Sequence, residues 1–140
     1  MPRFTKGNYD PINPKKYIGK YPIIYRSGWE LGLMQKFDLH PNIMEWASES
    51  LQIPYRNPFT NKNTVYIPDF FVKYLDKDNK IHAEIIEVKP LKETVLEKAR
   101  TKKDKMSVAL NTVKWQAAQA FCKKTGLTFR IMTEEQLFRK

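Results

Sequence analysis

Residues 65–89 read Val65-Tyr66-Ile67-Pro68-Asp69-Phe70-Phe71-Val72-Lys73-Tyr74-Leu75-Asp76-Lys77-Asp78-Asn79-Lys80-Ile81-His82-Ala83-Glu84-Ile85-Ile86-Glu87-Val88-Lys89, and Pro90 follows. Two runs rich in β-branched and aromatic residues flank a polar stretch at 76–80. The pattern predicts a long strand over 65–75, a turn, and a second strand over 81–89. A hairpin centred on Asp78 sets Leu75 opposite Ile81, Phe71 opposite Ile85 and Asp69 opposite Glu87. Opposed residues share a face of the sheet, and Lys89, two positions past Glu87, shares it too. That face also carries Phe71, Leu75, Ile81, Ala83 and Ile85, whereas the other carries Phe70, Val72, Tyr74, Ile86 and Val88. Both faces are apolar, so these strands are expected at the centre of a sheet covered on both sides.

Asp69 and Glu87 are then two carboxylates side by side in an apolar setting. Like charges directly opposed destabilise a sheet, and burying them unpaired costs several kcal/mol in order of magnitude. A cation must be shared between them. Lys89 offers one reading, a buried ion triad. A divalent metal offers the other, because Mg2+ takes one or two carboxylates and completes its octahedron with water and phosphate oxygens.

Upstream, Ser27-Gly28-Trp29-Glu30 has capping-box spacing and predicts a helix over 27–38 that stops before His40-Pro41. Glu30 heads the apolar stripe Leu33, Met34, Phe37, so it lies on the core-facing side. Its position suits a cap and a third metal ligand equally. Two short strands are expected at 43–46 and 51–55, with a turn at 57–63. Downstream, 91–106 reads as a basic, exposed, partly helical segment. A helix is predicted over 107–125, ended by Gly126, then a strand over 127–132. Thr133-Glu134-Glu135-Gln136 is a second capping box, for a short terminal helix. This order describes one α/β domain. Residues 1–26 hold Pro2, Pro11, Pro14 and Pro22 together with Tyr9, Tyr17, Tyr21 and Tyr25. They read as an extended basic arm that lies along nucleic acid, docks on a partner, or straps onto its own domain.

A length of 140 residues suits one domain with a real core. A single cysteine excludes a disulfide framework and a Cys-rich zinc site. No apolar run approaches the roughly 18 residues of a membrane span, and the first residues have no signal-peptide character. A chain working inside a cell, or assembled into something there, is expected. Five scattered glycines form no phosphate-binding loop. The net charge of +10 points to an anionic partner, most often nucleic acid. That charge is uneven. Residues 1–26 carry +5, 27–88 carry −3, 89–105 carry +4 and 106–140 carry +4. An acidic centre between basic flanks suits a protein that grips phosphates around a divalent cation.

Pro68-Asp69 followed by Glu87-Val88-Lys89 resembles the PD-(D/E)xK nuclease signature. The wider set, Tyr25-Arg26-Ser27-Gly28-Trp29-Glu30, Tyr66-Ile67-Pro68-Asp69-Phe70, Glu87-Val88-Lys89-Pro90 and Lys114-Trp115-Gln116-Ala117-Ala118 with Phe121-Cys122, is similar to the head-completion nucleases of contractile-tailed phages. It is similar also to the endonuclease subunit of some bacterial transposons. The resemblance implies a restriction-endonuclease-like αβββαβ core with a central mixed sheet, in a single nuclease-like domain over 27–140. It implies that Glu30, Asp69 and Glu87, with the carbonyl of Val88, hold Mg2+, or Mn2+ in its place. Lys89 would orient or activate the attacking water. The helix after the Lys strand often presents a Lys or Gln to the site in this branch, and Lys114 and Gln116 both match. Lys92, Lys98, Arg100, Lys102, Lys103 and Lys105 are expected to hold flanking DNA. The implied setting is the virion or the infected cell's cytoplasm. DNA is the expected partner, with capsid, portal or neck proteins and a second copy of the chain as further candidates.

Other reactive residues have plainer readings. His40 suits a helix C-cap. His82 and Glu84 fall on the face opposite Asp69. Cys122 sits in the helical stripe Trp115, Ala118, Cys122 and reads as core, and the three tryptophans read as core as well. Three functions remain in competition: a Mg2+-dependent DNA endonuclease, a non-catalytic head-completion or DNA-end-binding protein on the same fold, and a plain basic nucleic-acid-binding module. The complete set of Glu30, Asp69, Glu87 and Lys89 favours the first, and the acidic centre disfavours the third.

Overall fold

In the computed structural model, which describes residues 6–137, the predicted hairpin is present in the predicted register. Strand β6 (Phe70–Leu75) pairs antiparallel with β7 (Ile81–Val88), with Phe70 opposite Ile86 and Leu75 opposite Ile81. The turn between them is locked by Asp76, whose Oδ1 accepts from the N–H groups of Asp78 and Lys80. Strand β3 (Ile43–Ser48) joins the other edge of β6 antiparallel, with a bulge between Ile43 and Glu45. Strand β8 (Thr128–Met132) joins β7 in parallel, giving a four-stranded mixed sheet in the order β3-β6-β7-β8.

Two helices cover the sheet. Helix α1 (Gly28–Leu39) starts at Ser27, whose Oγ accepts from Glu30 N–H at 3.1 Å, as the capping box predicts. It buries Leu33, Met34 and Phe37 against Phe70, Val72 and Ile86. Helix α2 (Lys102–Thr125) covers the opposite face with Trp115, Ala118, Ala117 and Phe121, packed near Phe129 and Ile131. It begins five residues before the predicted start. Thr101 is the N-cap, with Oγ1 accepting from Asp104 N–H at 3.0 Å, so the basic run Lys102-Lys103 belongs to the first helical turn. Its end is as expected: Gly126 takes the left-handed conformation at φ 77°. The second capping box also forms, since Thr133 N–H donates to Gln136 Oε1 at 2.7 Å ahead of α3 (Glu134–Leu137). The core order α1-β3-β6-β7-α2-β8 is the expected αβββαβ arrangement of a restriction-endonuclease-like fold.

The single long strand expected over 65–75 is instead two strands. Strand β4 (Ile53–Arg56) pairs with β5 (Asn63–Tyr66) as a separate hairpin, and the chain breaks at 67–69 before β6 begins. Pro68 has no N–H to donate to a ladder, which makes it a natural place for the break. The hairpin leaves the plane of the main sheet and lays Ile53 and Tyr66 against Trp115 and Ala118 of α2.

The N-terminal segment is a strap on the domain from residue 6 onward. Strands β1 (Gly7–Asn8) and β2 (Ile24–Tyr25) pair with each other, and Tyr17 and Ile23 are buried. Asp38, fully buried on α1, ties the strap down. Its carboxylate accepts from Tyr9 Oη at 2.6 Å, Ile12 N–H at 2.7 Å and Asn13 N–H at 2.9 Å. Lys16 Nζ donates to the Asp38 and His40 carbonyls at the end of the helix. Residues 1–5 of the expected arm and 138–140 of the expected terminal helix lie outside the described residues. Among the described residues, no helix is long and apolar enough to cross a membrane.

Candidate active site

The break at Pro68 decides the site. It ends the β6 ladder at Phe70 and leaves Asp69 one step beyond the last pair, beside Glu87 near the end of β7. Each of the two carboxylates then takes a backbone donor that the ladder leaves over. Asp69 N–H donates to Glu87 Oε1 at 3.3 Å, and Val88 N–H donates to Asp69 Oδ2 at 2.8 Å. Glu49, just after β3, completes the frame: its N–H donates to the Asp69 carbonyl at 3.0 Å.

Glu87 is 5% exposed. Burial first, and the Asp69 charge second, push its carboxyl up to about 8. Burial also raises the Asp69 carboxyl, against the opposing pull of the Val88 N–H and the Lys89 ammonium. Two adjacent acids that both resist ionisation form a site that draws a cation. Lys89 Nζ stands 3.8 Å from Glu87 Oε2, too far for a hydrogen bond, so it attracts the pair without closing on it. Lys89 N–H is fixed separately, donating to the Met132 carbonyl at 3.0 Å.

Glu30 stands at the head of α1, held by the Arg26 N–H at 3.2 Å. Burial and then the Asp69 charge push it up to about 7, so it senses the pair while its cap role is fulfilled. Among the described residues, no three carboxylate, imidazole or thiol groups converge into a metal cage. A Mg2+ ion needs no such cage, since it keeps several waters and takes one or two carboxylates. The Asp69–Glu87 pair fits that requirement.

Of the two candidates Lys114 and Gln116, Lys114 is the half-buried one and Gln116 the exposed one. The Lys114 ammonium lies 5.9 Å from the ring centre of Tyr55 and 5.8 Å from that of Tyr66. Burial lowers its pKa, Lys89 lowers it further, and Glu87 opposes both, which places it in the same electrostatic field as the acid pair. Gln116 points to solvent and is not brought to the site. Lys92, Lys98, Arg100, Lys102, Lys103 and Lys105 are all exposed. Lys92 is partly occupied by Asp104, 3.9 Å away.

The sequence reading missed two residues here. Tyr66 buries its hydroxyl next to Glu87, and its phenol is held well above the usual range by burial and then by that carboxylate. Glu49 lies at the rim with φ 49°, ion-paired with Arg26, and its charge bears on both Asp69 and Glu30. Its setting, Ser48-Glu49-Ser50, looks like any polar turn. Of the residues set aside, Trp46 and Trp115 are core as expected, whereas Trp29 is only half-buried and stands outside both core clusters. His82 pairs with Asp76 at 2.7 Å, Glu84 accepts from Tyr74 Oη at 2.8 Å, and Cys122 is buried. A cleft of about 240 Å3 on the other face of the sheet, lined by Phe37, Val72, Tyr74, Glu84 and Ile86 among others, contains none of the candidate site residues.

Comparison with known proteins adds an independent line. Residues 40–134 match the model of the TnsA-like endonuclease N-terminal family. The chain belongs to this family. That match takes in Asp69, Glu87, Lys89 and Lys114 but begins after Glu30. A relative, the head completion nuclease of Enterobacteria phage T4, is 35% identical over 142 aligned positions covering 94% of this chain and 92% of the relative. The long alignment is consistent with a nuclease in which the strap and α1 belong to the same unit as the family core.

Proposed function

We propose that this protein is a Mg2+-dependent DNA endonuclease that finishes phage heads, acting on packaged or unpackaged DNA ends. The observation that carries the reading is the buried Asp69–Glu87 pair, with Lys89 and Lys114 both within its field. Like charges side by side under burial lower stability, which is understandable where the pair serves to hold a cation. Glu30, Asp69, Glu87 and the Val88 carbonyl would hold Mg2+, and Mn2+ fits the same oxygen donors. The ion supplies a Lewis acid for the scissile phosphate and a bound water of lowered pKa.

The remaining work falls to this chain's own groups. Lys89 Nζ orients the attacking water and stabilises negative charge as it grows on the phosphoryl oxygens. Lys114 Nζ, backed by the Tyr55 and Tyr66 rings, offers a second positive charge from the α2 side. Tyr66 and Trp115 keep that wall of the site dry. The exposed cations over 92–105 hold the flanking backbone without reading sequence. The likeness to a phage head completion nuclease supports the infected cell or the virion as the place of action, and the proposal adds capsid, portal or neck proteins as docking partners and a second copy as one way to cut both strands.

The test incubates supercoiled plasmid and linear duplex with the protein in Mg2+ and in EDTA. Metal-dependent nicking by the wild type is expected, with loss of at least about 100-fold in Asp69→Asn and Lys89→Ala while circular dichroism stays native. Wild-type protein that binds DNA but never cuts it in Mg2+ would establish the non-catalytic, end-binding alternative. Full cutting by both variants would remove the assignment of these residues.

A further inference from the structure

The β4–β5 hairpin ends in residues 57–62, and its tip is built to present one side chain. Asn57 Oδ1 accepts from Phe59 N–H at 2.8 Å and Thr60 N–H at 3.2 Å. Asn57 N–H donates to the Lys62 carbonyl, and Asn61 N–H to the Asn57 carbonyl. Arg56 Nε donates to Asn61 Oδ1 at 2.8 Å, and Asn61 holds φ 59°. On this fixed tip Phe59 is 51% exposed. About half of the Phe59 surface thus stays in water on a turn that hydrogen bonds hold in place.

The ring faces a groove of about 410 Å3, lined by Phe59 on one side and by Lys102, Lys103, Met106, Ser107 and Leu110 on the other. Met106 is itself 44% exposed. No carboxylate lines the groove. Asp104, the acid of that helical turn, is directed to Lys92 and to the Arg100 N–H instead. The groove also continues the site. At 1.5 Å per helical residue, Leu110 lies about 6 Å and Lys102 about 18 Å along α2 from Lys114, or roughly two to five base pairs of duplex.

We infer that this groove is the clamp for the DNA flanking the scissile phosphate, with Lys102 and Lys103 on the backbone and Phe59 against a base or sugar. The inference rests on the nuclease reading for the position of that phosphate. The mixed character is what duplex DNA asks for: cations on phosphates, and an apolar wedge where the sugar–base face is exposed. A protein partner of the same shape would need carboxylates to match the lysines.

The experiment measures binding of a labelled 20-base-pair duplex in EDTA, so affinity is read apart from cleavage. Phe59→Ala is expected to bind several-fold more weakly, in line with the loss of an apolar wedge set against the duplex groove. Lys102→Ala/Lys103→Ala is expected to lower the slope of log affinity against log salt by about 2. Phe59→Trp should show a fluorescence change on titration with the duplex. Affinity within twofold of wild type in Phe59→Ala, or an unchanged slope in the lysine variant, overturns the clamp. Neither result bears on whether the wild type cuts in Mg2+, so the two readings fail separately.

Discussion

Glu87 and Asp38 are both buried acids, and they stand in opposite relation to the fold. Glu87 lies beside another carboxylate and is pushed up to about 8 by burial and by Asp69, so it strains the metal-free protein. Glu87→Gln removes that charge and keeps the shape. In EDTA above pH 8 we expect it to raise Tm by several degrees, corresponding to about 1–3 kcal/mol, and in Mg2+ to abolish cleavage. A lower Tm would mean that Glu87 is held for stability. Asp38 shows the reverse. Burial raises its pKa, but donation from Tyr9, Ile12 and Asn13 outweighs burial, and the carboxyl lies below its ordinary value. The unfolded chain then binds the proton more readily than the folded one, so stability is present at neutral pH and is lost as pH falls through the folded pKa. Asp38→Asn is expected to cost about 2–3 kcal/mol at neutral pH in urea unfolding, with the gap to wild type narrowing toward pH 3. A gap that stays constant with pH would show that Asp38 acts by shape alone.

At the level of elements, the β6–β7 pairing was legible because two apolar runs flank a short polar turn centred on Asp78, and the turn sets the register. That pairing put Asp69, Glu87 and Lys89 together from sequence alone. The break at Pro68 was read through, because residues 65–75 are apolar enough to pass for one strand although Pro68 cannot donate to a ladder, and packing of Tyr66 on α2 shows where β5 leaves the sheet. Glu49 was hidden for a related reason: the bulge after Ile43 shifts the alternation of β3, so parity no longer says where the strand's end points. The strap was one of the readings left open, and it is chosen by the unmet acceptors of Asp38, which no local pattern announces. The start of α2 had a signal, Thr101 with Asp104 three residues on, masked by the charge of the residues between. Because that cap orders the turn carrying Lys102 and Lys103, Thr101→Ala is expected to cost about 1 kcal/mol in urea unfolding and to speed hydrogen exchange at 104–106. Unchanged exchange there would place the start of the helix under tertiary rather than cap control.

At the scale of the whole molecule, the sheet has two ends of different electrical character. Asp69, Glu87 and Lys89 sit at one end with Glu30, the Tyr25–Arg26 end of the strap and the first half of α2, which reaches the Glu93 carbonyl through Asn111. The β6–β7 turn sits at the other, about 20 Å away for the six residues of β6, and its charges, Asp76, Asp78, Lys77 and Lys80, cancel. The turn itself therefore adds nothing to the surplus of +10. Two double substitutions separate local from diffuse attraction. Lys77→Glu/Lys80→Glu and Lys102→Glu/Lys103→Glu each lower the net charge from +10 to +6. At physiological salt the screening length is about 8 Å, so charges at the far turn contribute little to a duplex held at the site end. DNA affinity is expected to fall at least tenfold in the Lys102/Lys103 variant and to stay within twofold of wild type in the Lys77/Lys80 variant. Near 0.01 M salt the screening length grows to about 30 Å, and the two variants should then converge. Equal losses at physiological salt would mean that the protein attracts DNA as a uniformly charged body, and the oriented arrangement argued from the acid pair outward would fail with it.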